Sequence, residues 1–296
     1  MKRYVLVLLA AVAAFLAYVP VAGAETRTVR YGPFTIPAGT MDSPGETGNR
    51  LRFAVKRPCS DCFITKFTPD LVDEGGNTVN MDQGPMLHHA VWTSQWRPDA
   101  TCGNQWLGLA GERFFASGNE RSVVRFPDGY GYRVRWYDSW NLLVELMNHS
   151  TTEKTVYVKV NFDIRPSWAS VRAVRPVWLD IDQCGDSQYA IPPYHTHRAW
   201  TVNVPGKVVS AIGHVHGHGK AVEATYGPDP EQPIYSICRS EAMPMDSHDI
   251  ETMTPCVGDL GTLSAGQTVQ LHSEYNEMAP ALNNVMGIML MYVRPQ

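Results

Sequence analysis

The residues from Thr155 to Ile164 alternate between polar and apolar side chains, and every second position is apolar. An extended strand places residues two apart on the same face, so this period predicts a β-strand with one buried face. Shorter runs of the same kind recur along the chain. In its second half they predict strands at 199–204, 207–216, 221–226, 234–238, 267–275 and 285–293.

Glycine and proline separate these runs, and no window shows the 3.6-residue period of a long amphipathic helix. The chain is also rich in Val, Thr, Tyr and Trp, which favour strands. We therefore predict an all-β protein of two antiparallel, jelly-roll-like β-sandwich domains, covering residues 25–165 and 166–296. Within them, residues 97–120 are expected to form a loop region and residues 165–185 the bridge between the halves.

The N-terminus has the pattern of a secretory signal peptide at residues 1–24. Met1-Lys2-Arg3 precedes an apolar run to about Tyr18, and Ala22-Gly23-Ala24 supplies small residues at the cleavage site. The alternative is a membrane anchor, but the run is short for a bilayer span. We expect a secreted or periplasmic protein with no membrane attachment after cleavage. The net charge of −4 and the lack of a basic patch argue against a nucleic-acid partner.

Six cysteines in an exported chain indicate disulfides, although six allow about fifteen connectivities. Cys238 and Cys256 flank one loop-like segment and are the first choice. Cys59 could close on Cys62, which would leave Cys102 with Cys184. Cys59 and Cys62 could instead be half of a zinc site, but no second CxxC motif completes it.

The segment Gly213-His214-Val215-His216-Gly217-His218-Gly219 follows an apolar strand pattern. In a strand, side chains two apart share a face, so His214 and His216 should point to one place. Imidazole suits copper, zinc, iron and nickel, and we interpret the segment as metal-binding rather than as a chance polar strand end.

His88 and His89 interrupt a second apolar run, Met86 to Trp92. Adjacent residues of a regular strand face opposite ways, so two adjacent ligands need a bulge or a strand end. The alternative is one core histidine and one surface histidine.

Taken together, these motifs resemble the copper type II, ascorbate-dependent monooxygenases, such as peptidylglycine alpha-hydroxylating monooxygenase and dopamine beta-monooxygenase. Leu87-His88-His89-Ala90 matches the family's motif in its first domain. His214-Val215-His216, followed by Gly219-Lys220, matches the motif in its second domain. Met286 matches a methionine of the last strand. The order and approximate spacing along the chain are also those of the family.

This resemblance implies two β-sandwich domains with one copper each, facing a solvent-filled cleft. His214, His216 and Met286 would form the oxygen site, since a thioether favours reduced copper. Met286 could instead fill the core, as methionines commonly do. His88 and His89 would form the electron-transfer site. The family's third histidine falls on Met147, and His149 lies two residues on, so the third ligand would be Met147 or His149, or the site would be two-coordinate.

Residues 205–293 are also similar to the stress-up-regulated nodulin-like proteins. The positions that carry this similarity are Gly213, His214, His216, Tyr226-Gly227, Cys238 and Val285-Met286-Gly287.

The chain departs from peptidylglycine monooxygenase where that enzyme holds its substrate. Ile212 stands at the position of its carboxylate-binding arginine, and Ile288 and Leu290 replace a substrate-contacting asparagine and tyrosine. A glycine-extended peptide is therefore not the expected substrate.

The metal-site hypothesis depends less on the remaining histidines. His218 is expected to support the ligands rather than bind metal, because ligating imidazoles usually have a hydrogen-bonded neighbour. His195 and His197 are interpreted as a loop pair, and His248 and His272 as structural or surface residues.

The leading hypothesis is an exported monooxygenase with one or two copper ions that hydroxylates a small molecule, using oxygen and an external reductant. The alternatives are a non-catalytic copper-binding protein for storage or stress response, and a zinc-bound or metal-free structural module.

Overall fold

The computed structural model describes residues 24–103, 111–227, 229, 232–244 and 250–296. Residues 1–23 of the predicted signal peptide lie outside these ranges, so the signal peptide stays a prediction.

The prediction of an all-β chain is confirmed. The strands of the first half are β1 (Glu25–Ile36), β2 (Gly45–Glu46), β3 (Arg50–Val55), β4 (Cys62–Val72), β5 (Pro85–Ser94), β6 (Glu112–Ser117), β7 (Val124–Arg125), β8 (Tyr130–Val134), β9 (Trp140–Asn148) and β10 (Lys154–Pro166). Those of the second half are β11 (Arg172–Asp180), β12 (Tyr189–Ile191), β13 (His195–Thr201), β14 (Gly206–Val215), β15 (Gly219–Tyr226), β16 (Tyr235–Pro244), β17 (Ile250–Met253), β18 (Cys256–Val257), β19 (Thr262–Leu263), β20 (Thr268–Tyr275), β21 (Leu282–Val285) and β22 (Gly287–Pro295). The helical structure within the described ranges is a 3-10 turn, Met81–Gln83.

Sheets face each other across an apolar core in both halves. In the first half, β1, β10 and β4 face β5, β6 and β9, and aromatic rings join the two sheets, such as Phe67 stacked on Phe115 at 4.5 Å. In the second half, β11, β22 and β14 pack against β13, β20, β15, β16 and β17.

One ten-stranded sheet runs through both halves, in the order β1-β10-β4-β8-β11-β22-β14-β18, with β7 on β4 and β19 on β14. The halves join where β8 and β11 pair in parallel, from Arg172 opposite Tyr130 to Val174 opposite Tyr132. The buried side chains form one continuous apolar cluster. The division into two domains at residue 165 stays a prediction.

One loop expectation was wrong, because the predicted loop region at 97–120 contains β6. The predicted bridge at 165–185 contains β11, a central strand of the shared sheet. Proline normally interrupts a strand because it lacks a backbone N–H. Pro176 lies beyond the three β11 residues that pair with β8, so no hydrogen bond between β8 and β11 is lost.

Three disulfides are present: Cys59–Cys62, Cys102–Cys184 and Cys238–Cys256. The preferred pairings are confirmed, and the zinc alternative for Cys59 and Cys62 was wrong. Disulfides persist in oxidising compartments, so they are compatible with an extracellular protein. Among the described residues, no helix is long and apolar enough to cross a membrane.

The disulfides should differ in their contribution to stability. Cys102–Cys184 closes a separation of 82 residues and Cys238–Cys256 one of 18. Loop-closure entropy predicts that replacing both cysteines by serine lowers the free energy of unfolding by about 4.5 kcal/mol for the long loop and about 3 kcal/mol for the short one. Urea unfolding of the two double variants measures this order, and the reverse order would contradict the entropic explanation.

Candidate metal centre

Four histidines from the two halves of the chain meet in one cluster. His88 and His89 come from β5, while His214 lies in β14 and His216 directly follows it. The ring centroids are 3.9 Å apart for His88 and His89, 5.2 Å for His89 and His216, and 5.4 Å for His214 and His216. The two pairs, which the family resemblance assigns to separate copper sites, therefore lie side by side.

A β-bulge brings the two adjacent histidines to the same side. Leu87 pairs with Leu146 and His89 with Glu145, so His88 is the extra residue of β5. The pleat would otherwise point His88 and His89 to opposite faces. The predicted irregularity at this pair is confirmed.

A buried tyrosine holds the chain at the end of β14. The His216 N–H donates to Tyr275 Oη at 2.9 Å, and the Tyr275 hydroxyl donates to the Met286 carbonyl at 2.7 Å. Tyr275 thereby ties the His216 backbone to the segment before β22. His214 and His216 both face the cluster, as their spacing predicts.

Each histidine has its Nδ1 atom against an acceptor. Glu145 Oε2 lies 3.2 Å from His88 Nδ1 and 3.4 Å from His89 Nδ1. His214 Nδ1 lies 3.1 Å from Glu120 Oε1, and His216 Nδ1 lies 2.7 Å from the carbonyl oxygen of Asn284. Carboxylate and carbonyl oxygens only accept, so we assign the ring protons to Nδ1. This leaves the Nε2 atoms to act as ligands.

Ring nitrogens of three of these histidines are close enough together to hold a metal ion. Among the described residues, one group of three histidines, His88, His89 and His216, has ligand atoms within 4.8 Å of one another. His89 Nε2 and His216 Nε2 face each other at 3.0 Å, although neither carries a proton in this assignment. His214 Nε2 is buried with no hydrogen-bond partner among the described residues, and its ring lies next to those of His89 and His216. A cation between these lone pairs satisfies atoms that would otherwise repel, and imidazole suits copper and zinc.

The electrostatics keep two of the ligands neutral. Burial lowers the pKa of His89 to about 3, with a further effect from His88, and burial also lowers the pKa of His216 well below its usual value. Burial would lower the pKa of His214 as well, but the Glu120 carboxylate outweighs it and raises that pKa. Hydrogen bonds from His88 and His89 hold the pKa of Glu145 far below its usual range, so it stays ionised.

The cluster lies between two cavities. The inner cavity, of about 160 Å³, borders His89, His214 and Met286. The outer cavity, of about 510 Å³, borders His88, His214 and His216. A ligand in either cavity would lie next to the candidate metal position.

The other predicted ligands lie around this cluster. Met286 is buried and lines the inner cavity. Met147, His149 and His218 line the outer cavity, and both ring nitrogens of His149 are buried with no hydrogen-bond partner among the described residues. The roles of Met286, Met147 and His149 as ligands stay predictions, and so does the role of His218 as a supporting residue.

Sequence reasoning missed Glu120, Glu145 and Gly118. Glu145 is a carboxylate inside the apolar run 142–147, which is a detectable signal. Glu120 lies in the segment that was expected to be a loop, so nothing marked it. A Cβ on Gly118 would lie 2.8 Å from His214 Cε1 and would also collide with Glu120, so this glycine leaves room for their contact.

The remaining histidines lie elsewhere. His195 and His197 belong to β13, so the loop interpretation was wrong, and both are exposed. His272 is buried and its Nε2 lies 3.0 Å from Thr225 Oγ1, which agrees with a structural role. His248 lies outside the described residues.

The sequence is similar to two curated fungal proteins. It is 26% identical over 294 residues to "Probable copper-dependent oxygenase M1" of Phoma sp., covering 90% of this chain and 72% of that protein. It is 25% identical over 247 residues to "Probable copper-dependent oxygenase clz3" of Cochliobolus lunatus, covering 74% and 75%. No protein-family model matches the chain. The relatives' names support the copper-oxygenase part of the resemblance, whereas the ascorbate-dependent and nodulin-like families stay predictions.

Solved structures give only distant similarity. A structure of PNGF-II matches with 10% identity and a TM-score of 0.45, over 90% of this chain and 65% of the other. The major capsid protein P2 of bacteriophage PM2 matches with 9% identity and a TM-score of 0.38, over 92% and 98%. At these values the similarity supports no functional conclusion.

Proposed function

We propose that this protein is an exported copper-dependent oxygenase. The observation that carries the proposal is the convergence of one ring nitrogen each from His88, His89 and His216, with the His214 ring next to those of His89 and His216. The similarity to two proteins named as copper-dependent oxygenases makes copper the preferred metal. The signal-peptide pattern and the three disulfides support export.

His88, His89 and His216 would hold one copper ion, and His214 is the fourth candidate ligand. Bound copper supplies the one-electron redox chemistry that activates molecular oxygen. Glu145 keeps the rings of His88 and His89 in place and balances the cation with its negative charge. Glu120 orients His214 in the same way. Because the His214 ring lies next to those of His89 and His216, it can also hold a proton close to the site.

The reaction we propose is the hydroxylation of a C–H bond of a small molecule. The C–H bond breaks, one atom of O₂ forms the new C–O–H group, and the other atom leaves as water. This balance needs two electrons and two protons, and an external small-molecule reductant supplies the electrons. The inner cavity offers space for the substrate beside His89 and His214.

The test is oxygen consumption by the copper-loaded protein with ascorbate as reductant. We expect consumption that needs both copper and reductant and that falls to the background of copper-free protein when His216 is replaced by alanine. His197→Ala, a change at an exposed histidine of β13, should leave the rate unchanged. Stoichiometric copper without oxygen consumption would contradict the oxygenase and leave a copper-binding role.

A further inference from the structure

The inner cavity has mainly apolar walls. The residues that form them include Val91, Val124, Leu143, Ile212, Ile288 and Leu290. They come from the sheets of both halves, so the cavity lies between the halves on the inner side of the histidine cluster. Its volume of about 160 Å³ is close to that of an engineered apolar cavity of ~150 Å³ that binds benzene.

Two serines and two glutamates of the wall are already engaged, whereas His214 Nε2 is buried with no hydrogen-bond partner among the described residues. Ser122 Oγ accepts the Met253 N–H at 3.2 Å, and the Ser117 hydroxyl donates to the Gly118 carbonyl at 3.2 Å. Glu120 and Glu145, which also line the cavity, contact the histidines through their carboxylates. Away from His214 Nε2, a polar ligand group would therefore lose its water without gaining a matched partner, which is unfavourable.

Charge also restricts the ligand. No lysine or arginine is among the described residues that line the cavity, so in the metal-free chain an anionic group would have no lysine or arginine as a counter-charge there. Asn49 and Asp186 are exposed and Gln188 is partly so, which places these three polar side chains at the solvent side of the wall. A ligand with an apolar end and a polar end would therefore insert its apolar end.

We propose that the inner cavity binds a neutral apolar group of about the size of one benzene ring, held against His89 and His214. The role of this cavity as the substrate pocket of the oxygenase rests on the proposed function. The substrate class is then a molecule with a compact hydrocarbon group, aromatic or branched aliphatic, whose C–H bond lies next to the metal centre.

The test is calorimetric titration of the full chain with benzene, in copper-loaded and metal-free form. We expect saturable binding of one benzene per chain in both forms. In the metal-free form, benzoate, which adds a negative charge to the same ring, should bind about tenfold more weakly or worse, because Glu120 and Glu145 line the cavity. Equal binding of benzoate and benzene to the metal-free chain, or no binding of benzene, would overturn the proposal. Benzene binding to the metal-free chain does not depend on copper. Its absence would therefore contradict the cavity proposal without contradicting the proposed oxygenase.

Variants locate the binding site. Ala116→Phe places a ring in the inner cavity and should weaken benzene binding about tenfold or more, whereas Ala173→Phe, at an exposed position of β11, should not. Leu143→Ala removes part of the wall and should admit naphthalene, which the unaltered cavity excludes by size. This gain of binding requires a folded protein, so it remains informative if Ala116→Phe does not fold. Benzene binding that is unchanged in Ala116→Phe would place the ligand elsewhere.

Discussion

Replacing His216 by alanine is expected to weaken copper binding by about 100-fold or more. Losing a residue that merely orients a ligand commonly costs about 10–100-fold, and His216 contributes a ligand atom itself. Its Nε2 faces His89 Nε2 at 3.0 Å, and it belongs to the one group of three histidines whose ligand atoms converge among the described residues. Copper titration with a competing chelator measures the change.

His197→Ala is the matched control, because His197 is an exposed histidine on β13 outside the cluster. Glu145→Gln should give an intermediate loss, about 10–100-fold, since the amide still occupies the space but can no longer offer a charge to both rings. Equal copper affinity of His216→Ala and His197→Ala would contradict the metal centre. Two coppers per chain, lost independently with His88→Ala and His216→Ala, would contradict a single shared centre.

Replacing Arg113 by methionine is expected to lower the free energy of unfolding by about 3–5 kcal/mol. The side chains of Arg113 and Asp99 are 0% and 2% exposed, and two of the arginine's nitrogens contact the carboxylate, at 2.8 Å and 3.0 Å. Methionine fills similar space but leaves the Asp99 charge buried without its partner. Chemical denaturation measures the loss.

The matched control is Arg27→Met, because Arg27 forms an ion pair with Glu25 in which both side chains are 56% exposed. Such surface pairs contribute ~0–1 kcal/mol. A loss at Arg113 no larger than at Arg27 would contradict the structural role of the buried pair.

This pair also predicts a pH dependence. Burial alone would raise the pKa of Asp99, but Arg113 outweighs it and lowers that pKa from 3.8 to about 2. A lowered carboxyl pKa stabilises the folded state above the unfolded value, and this contribution is lost as the pH falls from 3.8 towards about 2. The difference in stability between the native chain and Arg113→Met should therefore shrink over that window.

The strands were predictable where alternation was strict. The run from Thr155 to Ile164 lies within β10, and the runs at 207–216 and 267–275 largely coincide with β14 and β20. β11 was not predictable in this way, because it is a central strand with nearly continuous burial from Pro176 to Asp180 and contains a proline. A strand buried on both faces loses the period of two that marks a strand with one exposed face.

The ligand candidates were also readable from local spacing. His214 and His216 share a face because strand geometry repeats every two residues, and His88 and His89 required the bulge that the structure contains. Spacing along one segment contains no information on a contact between segments 127 residues apart, such as His89 with His216. Glu120 and Glu145 were missed for the same reason, since each is defined by what it contacts in space.

Local sequence was therefore sufficient for the all-β class, the export pattern and the two histidine pairs, because backbone geometry and solvent exposure act over a few residues. The tertiary structure alone decided that the pairs form one cluster, that two carboxylates and one backbone carbonyl hold their Nδ1 atoms and that an apolar cavity lies behind them. These features depend on how β5, β9 and β14 pack. That packing follows from burial of side chains throughout the core rather than from any single motif.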